Sequence, residues 1–195
     1  MHNSNHLEQV KIILIGASTG GPGHIQKIIK SLPSDFSAAV IIAQHIGDDF
    51  IPSFVNQLKQ SCKIEIEAVS GDVEVNPGKV YICSKVTEFK RLNQRTSLCQ
   101  IEGREARYNP DIDALFASAS ILAAYHPIMS IILTGVGDDG AKGSQVLSIA
   151  GVTCIAESEV SAVVYGMPMQ AKLSVDNILV QSLDQIIQSI AVFGR

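Results

Sequence analysis

The chain has 195 residues, 46% of them hydrophobic and 17% charged, which supplies enough apolar surface to offset chain entropy and excludes a disordered protein. At about 100–200 residues per domain the length fits one domain, and two full domains are not expected. Fifteen Lys and Arg against nineteen Asp and Glu leave a net charge of −4 with no long basic run, so phosphate-driven nucleic-acid binding has no electrostatic footprint.

In chain order, Val10 to Ile15 is an apolar run suited to a strand buried on both faces, and it leads straight into Gly16-Ala17-Ser18-Thr19-Gly20-Gly21. After Pro22, the spacing of Ile25, Ile28, Ile29 and Leu32 predicts a helix with one buried face. The pattern repeats with a strand over Ala38 to Ala43, a loop from Gln44 to Asp49, and a helix striped by Ile51, Phe54, Val55 and Leu58. Two strand–helix units in succession imply parallel strands.

Ile64, Ile66 and Ala68 alternate with Glu65 and Glu67, as in a strand with one solvated face. Beyond Asn76-Pro77-Gly78, the segments Val80 to Cys83, Thr87 to Leu92 and Ser97 to Ile101 read as a hairpin-like β excursion. A helical stripe returns at Ile112, Leu115, Phe116, Ala119, Leu122 and Ala123, followed by a strand over Ser130 to Leu133 and a loop from Thr134 to Gly140. A further helix ends near Gly151, strands follow at Val152 to Ala156 and Ile178 to Val180, and Leu183, Ile186, Ile187 and Ile190 stripe a last helix. The expected fold class is α/β, a single doubly wound domain with a mainly parallel sheet and a small antiparallel β excursion.

The apolar stretches are strand-length, far short of the about 20 residues of a membrane span, so no membrane insertion is expected. The N-terminal MHNSNHLEQ lacks the basic start and apolar stretch of a secretory signal, and the expected location is cytoplasmic. Cys62, Cys83, Cys99 and Cys154 have no metal-type spacing, which predicts free thiols.

In an open parallel sheet, the loops beyond the strand carboxyl ends converge on one crevice. Those loops hold Ser18 after the first strand, His45 after the second, and Asp138 and Asp139 after a later one, the residue types of a nucleophile, base and orienter. Gly16-Ala17-Ser18-Thr19-Gly20 fits the G-x-S-x-G turn in its strand–turn–helix setting; a Gly-rich turn that merely starts a helix fits as well. A dinucleotide fingerprint would need Gly at position 18, and a P-loop would need Gly-Lys-Ser/Thr where Gly21-Pro22-Gly23 stands. His45 alone reads equally as a hydrogen-bonded structural histidine. Gly135-Val136-Gly137-Asp138-Asp139-Gly140 suits an oxyanion hole and an acidic orienter, or an Asp-capped helix start.

Taken together, Gly16-Ala17-Ser18-Thr19-Gly20-Gly21, Gln44-His45, Leu133-Thr134-Gly135-Val136-Gly137-Asp138-Asp139-Gly140 and Val163-Val164-Tyr165-Gly166-Met167-Pro168 resemble the successive signatures of the chemotaxis protein-glutamate methylesterase (CheB) family. The resemblance runs from about Lys11 to about Ile187. It implies a Ser-His-Asp hydrolase that cleaves γ-glutamyl methyl esters on methyl-accepting chemoreceptors and deamidates receptor glutamines, with no metal or organic cofactor. Ser18 would be the nucleophile, His45 the base, Asp139 the orienter and the Val136 N–H part of the oxyanion hole, with Thr19 beside the nucleophile. A non-enzymatic receptor- or ligand-binding module with the same fold is the competing reading.

Three positions depart from the family pattern: Tyr108 where His is usual, Asp111 where Ser is usual, and Asp138 where Asn is usual. Regulated members carry an N-terminal receiver domain, whereas only about ten residues precede the first strand here, so the expectation is one methylesterase-like catalytic domain over residues 1–195 without a receiver. Between Lys85 and Arg107, six cations against three glutamates form a net +3 stretch, read as a solvated hairpin or a docking patch for Glu-rich receptor helices. Met167 and Met169 read as packing.

Overall fold

The computed structural model describes residues 9–195, so residues 1–8 of the stretch read as lacking a secretory signal lie outside the described residues. Seven parallel strands form the main sheet in the order β10-β9-β8-β1-β2-β5-β3. They are β1 (Ile12–Ala17), β2 (Ala39–Gln44), β3 (Glu65–Ala68), β5 (Lys79–Cys83), β8 (Ile128–Ile132), β9 (Thr153–Glu157) and β10 (Leu179–Gln181). A small antiparallel sheet, β4-β7-β6, is built from β4 (Asp72–Glu74), β6 (Thr87–Leu92) and β7 (Arg95–Gln100). The α/β class and the antiparallel excursion therefore stand as read from the sequence.

Strand alternation divides the core between the two faces of the sheet. On one face Ile13, Ile15 and Ala17 of β1 pack with the stripes of α1 (Gly21–Ser31), α2 (Ile51–Ser61) and α6 (Leu183–Phe193). On the other, Ile12 and Leu14 pack with α3 (Ile112–Ala119), α4 (Ala141–Ile149), α5 (Gly166–Ser174) and Phe89 and Leu98 of the small sheet. Burying each such Ile or Leu contributes about 1.5–3 kcal/mol, so the double-faced burial of β1 makes it the anchor of the domain.

Two readings need correction. Val80 to Cys83 does not belong to the excursion: β5 lies in the main sheet, with Val80 paired to Val40 on one side and Ile66 on the other. Its residues Val80, Tyr81, Ile82 and Cys83 are all buried, the signature of an interior parallel strand, which periodicity alone does not separate from a hairpin strand. The third strand of the excursion is β4, where Gly71 and the short charged run gave no strand signal. Helix α5 went unread, because Gly166 and Pro168 stand in its first turn and its stripe of Met167 and Ala171 is short. Met167 is buried as expected, and Met169 is 40% exposed.

Several cations of the basic stretch have partners: Arg104 pairs with Glu88, Arg95 lies 3.8 Å from Glu74, and Arg107 lies 3.2 Å from Asp138. All four cysteines are free thiols. Among the described residues no helix is long and apolar enough to cross a membrane.

The order of the strands positions the site. From β1 the chain moves on one side to β2, then to β3 at the edge, and back to place β5 between them, before it crosses to the other side of β1 as β8 and proceeds outward to β9 and β10. The boundary between β1 and β8 is thus a topological switch point, where a crevice opens beyond the strand carboxyl ends.

Candidate active site

Ser18 and His45 follow directly on Ala17 and Gln44, which are paired across β1 and β2, so the two residues leave the sheet side by side. The His45 N–H donates to the Ala17 carbonyl at 2.9 Å, and the Ser18 N–H donates to the Thr134 carbonyl at 3.0 Å, tying the Ser18 turn to the loops after β2 and β8. No hydrogen bond joins the Ser18 hydroxyl to the His45 ring. Gly135 lies against Ser18; a Cβ built there would sit 2.7 Å from Ser18 Cβ and 2.3 Å from Met167 Sδ. Only glycine lets the β8 loop approach the serine so closely.

Asp139, 2% exposed, accepts from His45 Nε2 at 2.7 Å, Ile112 N–H at 3.0 Å and Asp113 N–H at 2.9 Å. The last two are first-turn donors of α3, so the carboxylate sits at the positive end of a helix dipole. A carboxylate only accepts, hence His45 Nε2 carries a proton, and in the neutral imidazole Nδ1 is the atom with the lone pair. That is the reverse of the protease arrangement, in which Nδ1 faces the acid.

The two neighbouring acids diverge. Asp138 turns outward to the Tyr108 hydroxyl at 3.1 Å and to Arg107, while Asp111 caps α3 by accepting from the Ala114 N–H at 2.7 Å. Burial pushes the Asp113 carboxyl above the usual carboxylate range, and the Asp139 charge adds to that rise. Val136, 59% exposed, stands at the mouth of the loop, and its N–H takes no acceptor among the described residues. Thr19 is exposed, with its carbonyl accepting from the Thr134 hydroxyl at 2.8 Å.

Sequence reasoning missed two supports. Gln44, 1% exposed, donates through Nε2 to the carbonyls of both Ser18 and His45 at 2.9 Å, clamping the two loops together. Its place in the Gln44-His45 signature was visible, but its inward aim was not. Glu157, fully buried at the end of β9, accepts from the Thr134 N–H at 2.9 Å and the Ser161 hydroxyl at 2.8 Å, and pairs with His24 at 3.2 Å. It fastens the β8 loop to the helix behind Ser18. A lone glutamate after an apolar run gave no signal for this. Among the described residues no group of three or more His, Cys, Asp or Glu is gathered as for a metal ion.

Fold and site together define a parallel α/β domain whose switch-point crevice brings a serine, a histidine and a buried carboxylate onto adjacent loops. A family model described as CheB methylesterase matches residues 13–190, and the chain belongs to that family. It is 39% identical over 165 residues to the protein-glutamate methylesterase/protein-glutamine glutaminase of Shewanella frigidimarina, covering 83% of this chain and 41% of that protein. The protein of the same name from Lawsonia intracellularis is 37% identical over 196 residues, covering 96% of this chain and 54% of that one. The crystal structure of the Thermotoga maritima CheB methylesterase catalytic domain superposes with a TM-score of 0.85 at 29% identity, covering 94% of this chain and 98% of that one. The chain spans about half the length of the curated relatives it matches.

Proposed function

We propose that this chain hydrolyses γ-glutamyl methyl esters on methyl-accepting chemoreceptors, and deamidates glutamines there, with Ser18 as nucleophile, His45 as base and Asp139 as orienter. The observation that carries this reading is the hydrogen bond at 2.7 Å between the half-buried His45 and the buried Asp139, on the loops that flank Ser18. The names of the relatives support the substrate class.

In this reading Ser18 Oγ attacks the ester carbonyl and passes its proton to His45 Nδ1 while Asp139 stabilises the imidazolium through Nε2–H. The oxyanion takes hydrogen bonds from the Val136 N–H and from the Thr19 N–H beside the nucleophile. Methanol leaves with the proton from Nδ1, and a water then cleaves the acyl-enzyme, returning its proton through the same nitrogen to Ser18. With a glutamine the leaving group is ammonia and the steps are otherwise the same. The chain's own groups supply each proton transfer.

The test is methanol release from methyl-labelled receptor membranes. Wild type is expected to release methanol and Ser18→Ala to release none, with unchanged circular dichroism. Release by Ser18→Ala at the wild-type rate refutes the nucleophile, and an inert wild type favours the binding-module reading.

A further inference from the structure

Among the described residues the His45 ring is hydrogen-bonded at one atom only, Nε2, and an imidazole held at a single atom can pivot about that bond. Ser18 supplies no second anchor. The second constraint comes from Tyr108, whose ring stacks on His45 with centroids 5.0 Å apart and planes inclined by 7°. That separation lies within the range of offset-stacked rings, in which the imidazole plane is fixed and one of its faces is kept from water.

Tyr108 is itself held. Its hydroxyl donates to Asp138 Oδ1 at 3.1 Å, and the Arg107 guanidinium lies 4.9 Å from the ring centroid and 3.2 Å from the same carboxylate. Gly137 makes room for it: with φ +99 it adopts a conformation that favours glycine, and a Cβ there would stand 2.8 Å from the hydroxyl oxygen. Burial, then the hydrogen bond to Asp138, pushes the Tyr108 pKa up, so the hydroxyl stays protonated and donating. Asp138 thus directs its charge into Tyr108 and Arg107, while Asp139 faces the imidazole.

We propose that Tyr108 is a positioning residue for His45, its ring fixing the imidazole plane and its hydroxyl fastened by Asp138 to keep it there. The inference rests on the reading of His45 as base. It does not depend on which ester is cleaved.

The experiment compares Tyr108→Ala, Tyr108→Phe, Asp138→Asn and the Tyr108→Phe/Asp138→Asn double variant, by kcat and KM on methylated receptor and by the proton resonance of His45 Nε2–H. Loss of the ring is expected to lower kcat about 10–100-fold, the scale of a small misplacement of a reacting group, with KM within about twofold of wild type. The Nε2–H resonance should exchange faster with water in Tyr108→Ala. Tyr108→Phe keeps the stack and should recover most of both losses. Tyr108→Phe removes the donor of the bond whose acceptor Asp138→Asn weakens by taking away its charge, so their double variant should be no worse than the more affected single. Unchanged kcat and Nε2–H exchange in Tyr108→Ala overturn the proposal, as do multiplying effects of Tyr108→Phe and Asp138→Asn. If Tyr108→Ala fails to fold, Tyr108→Phe and the double variant carry the same decision. An inactive wild type refutes the esterase reading instead, and the His45 resonance still decides whether Tyr108 positions the ring.

Discussion

In Asp139→Asn one carboxylate oxygen becomes an NH2 group while the shape of the side chain is kept. Oδ2 accepts from both His45 Nε2 and the Ile112 N–H, and Oδ1 accepts from the Asp113 N–H. If the remaining amide oxygen takes the Oδ2 position, the NH2 faces the Asp113 N–H, donor against donor, in a site only 2% exposed. If it takes the Oδ1 position, the NH2 faces both Ile112 and His45 and forces the imidazole into the tautomer whose Nδ1 carries the proton, leaving no base for Ser18. Either orientation leaves a buried donor unpaired at about 1–3 kcal/mol. At about 2–4 °C per kcal/mol for a domain of this size, the melting temperature should fall by roughly 2–12 °C. Neither orientation supplies the negative charge that stabilises the imidazolium, and the loss in kcat is expected on the order of 10⁴, as in the protease triad. The measurements are thermal melting by circular dichroism and kcat for methanol release, with Asp138→Asn as control. Asp139→Asn with wild-type kcat, or Asp138→Asn as the more damaged of the two, refutes the assignment of the orienter.

Burial, with the Arg91 charge adding to it, lowers the His126 pKa, and its Nδ1 is buried without a partner while Nε2 meets the Thr96 hydroxyl at 3.0 Å. A histidine whose folded pKa lies below its unfolded value near about 6.5 contributes stability above that value and loses it as pH falls through the folded pKa. Melting temperature should therefore decline from pH 7 to 5 in wild type and decline less in His126→Gln; equal slopes contradict this. Of the four cysteines, Cys83, Cys99 and Cys154 are buried, and burial pushes the Cys83 thiol up to about 12. At pH 8 the native protein should titrate one thiol, Cys62, with a chromogenic disulfide and all four in guanidinium, and rapid native labelling of Cys83 would show that β5 opens.

The strand-end loops were legible because each candidate site residue follows an apolar run: Ser18 after Ile12–Ala17, His45 after Ala39–Gln44, Asp139 after Ile128–Ile132. What separates Asp138 from Asp139 was not legible, since two adjacent loop residues look alike until the first turn of α3 supplies donors to one of them from 27 residues away. Tyr108 stood out as a departure from the family pattern, yet its stacking on His45 follows from tertiary approach and leaves no local trace. The same holds for β5, whose apolar run fits either sheet and whose neighbours decide. Glu157 illustrates the limit most clearly, because a charge is expected outside and this one is inside, met by donors from three separate segments.

The β6–β7 hairpin of the small antiparallel sheet interrupts the wound domain between β5 and α3, and its last strand hands the chain on to Arg107 and Tyr108. In the proposed reading, the groups that break bonds stand on one part of the chain and the wall beside them on another. Short loops and cross-strand pairs such as Phe89 with Leu98 hold the hairpin of β6 and β7 together locally, so it tolerates change in its exposed turn without disturbing Ile12–Ala17. The crevice can accordingly be retailored at its border: in the proposed reading, altering the stretch between Gln100 and Arg107 reshapes what enters, while Tyr108 stays against His45 and the reacting atoms keep their register on the parallel strands.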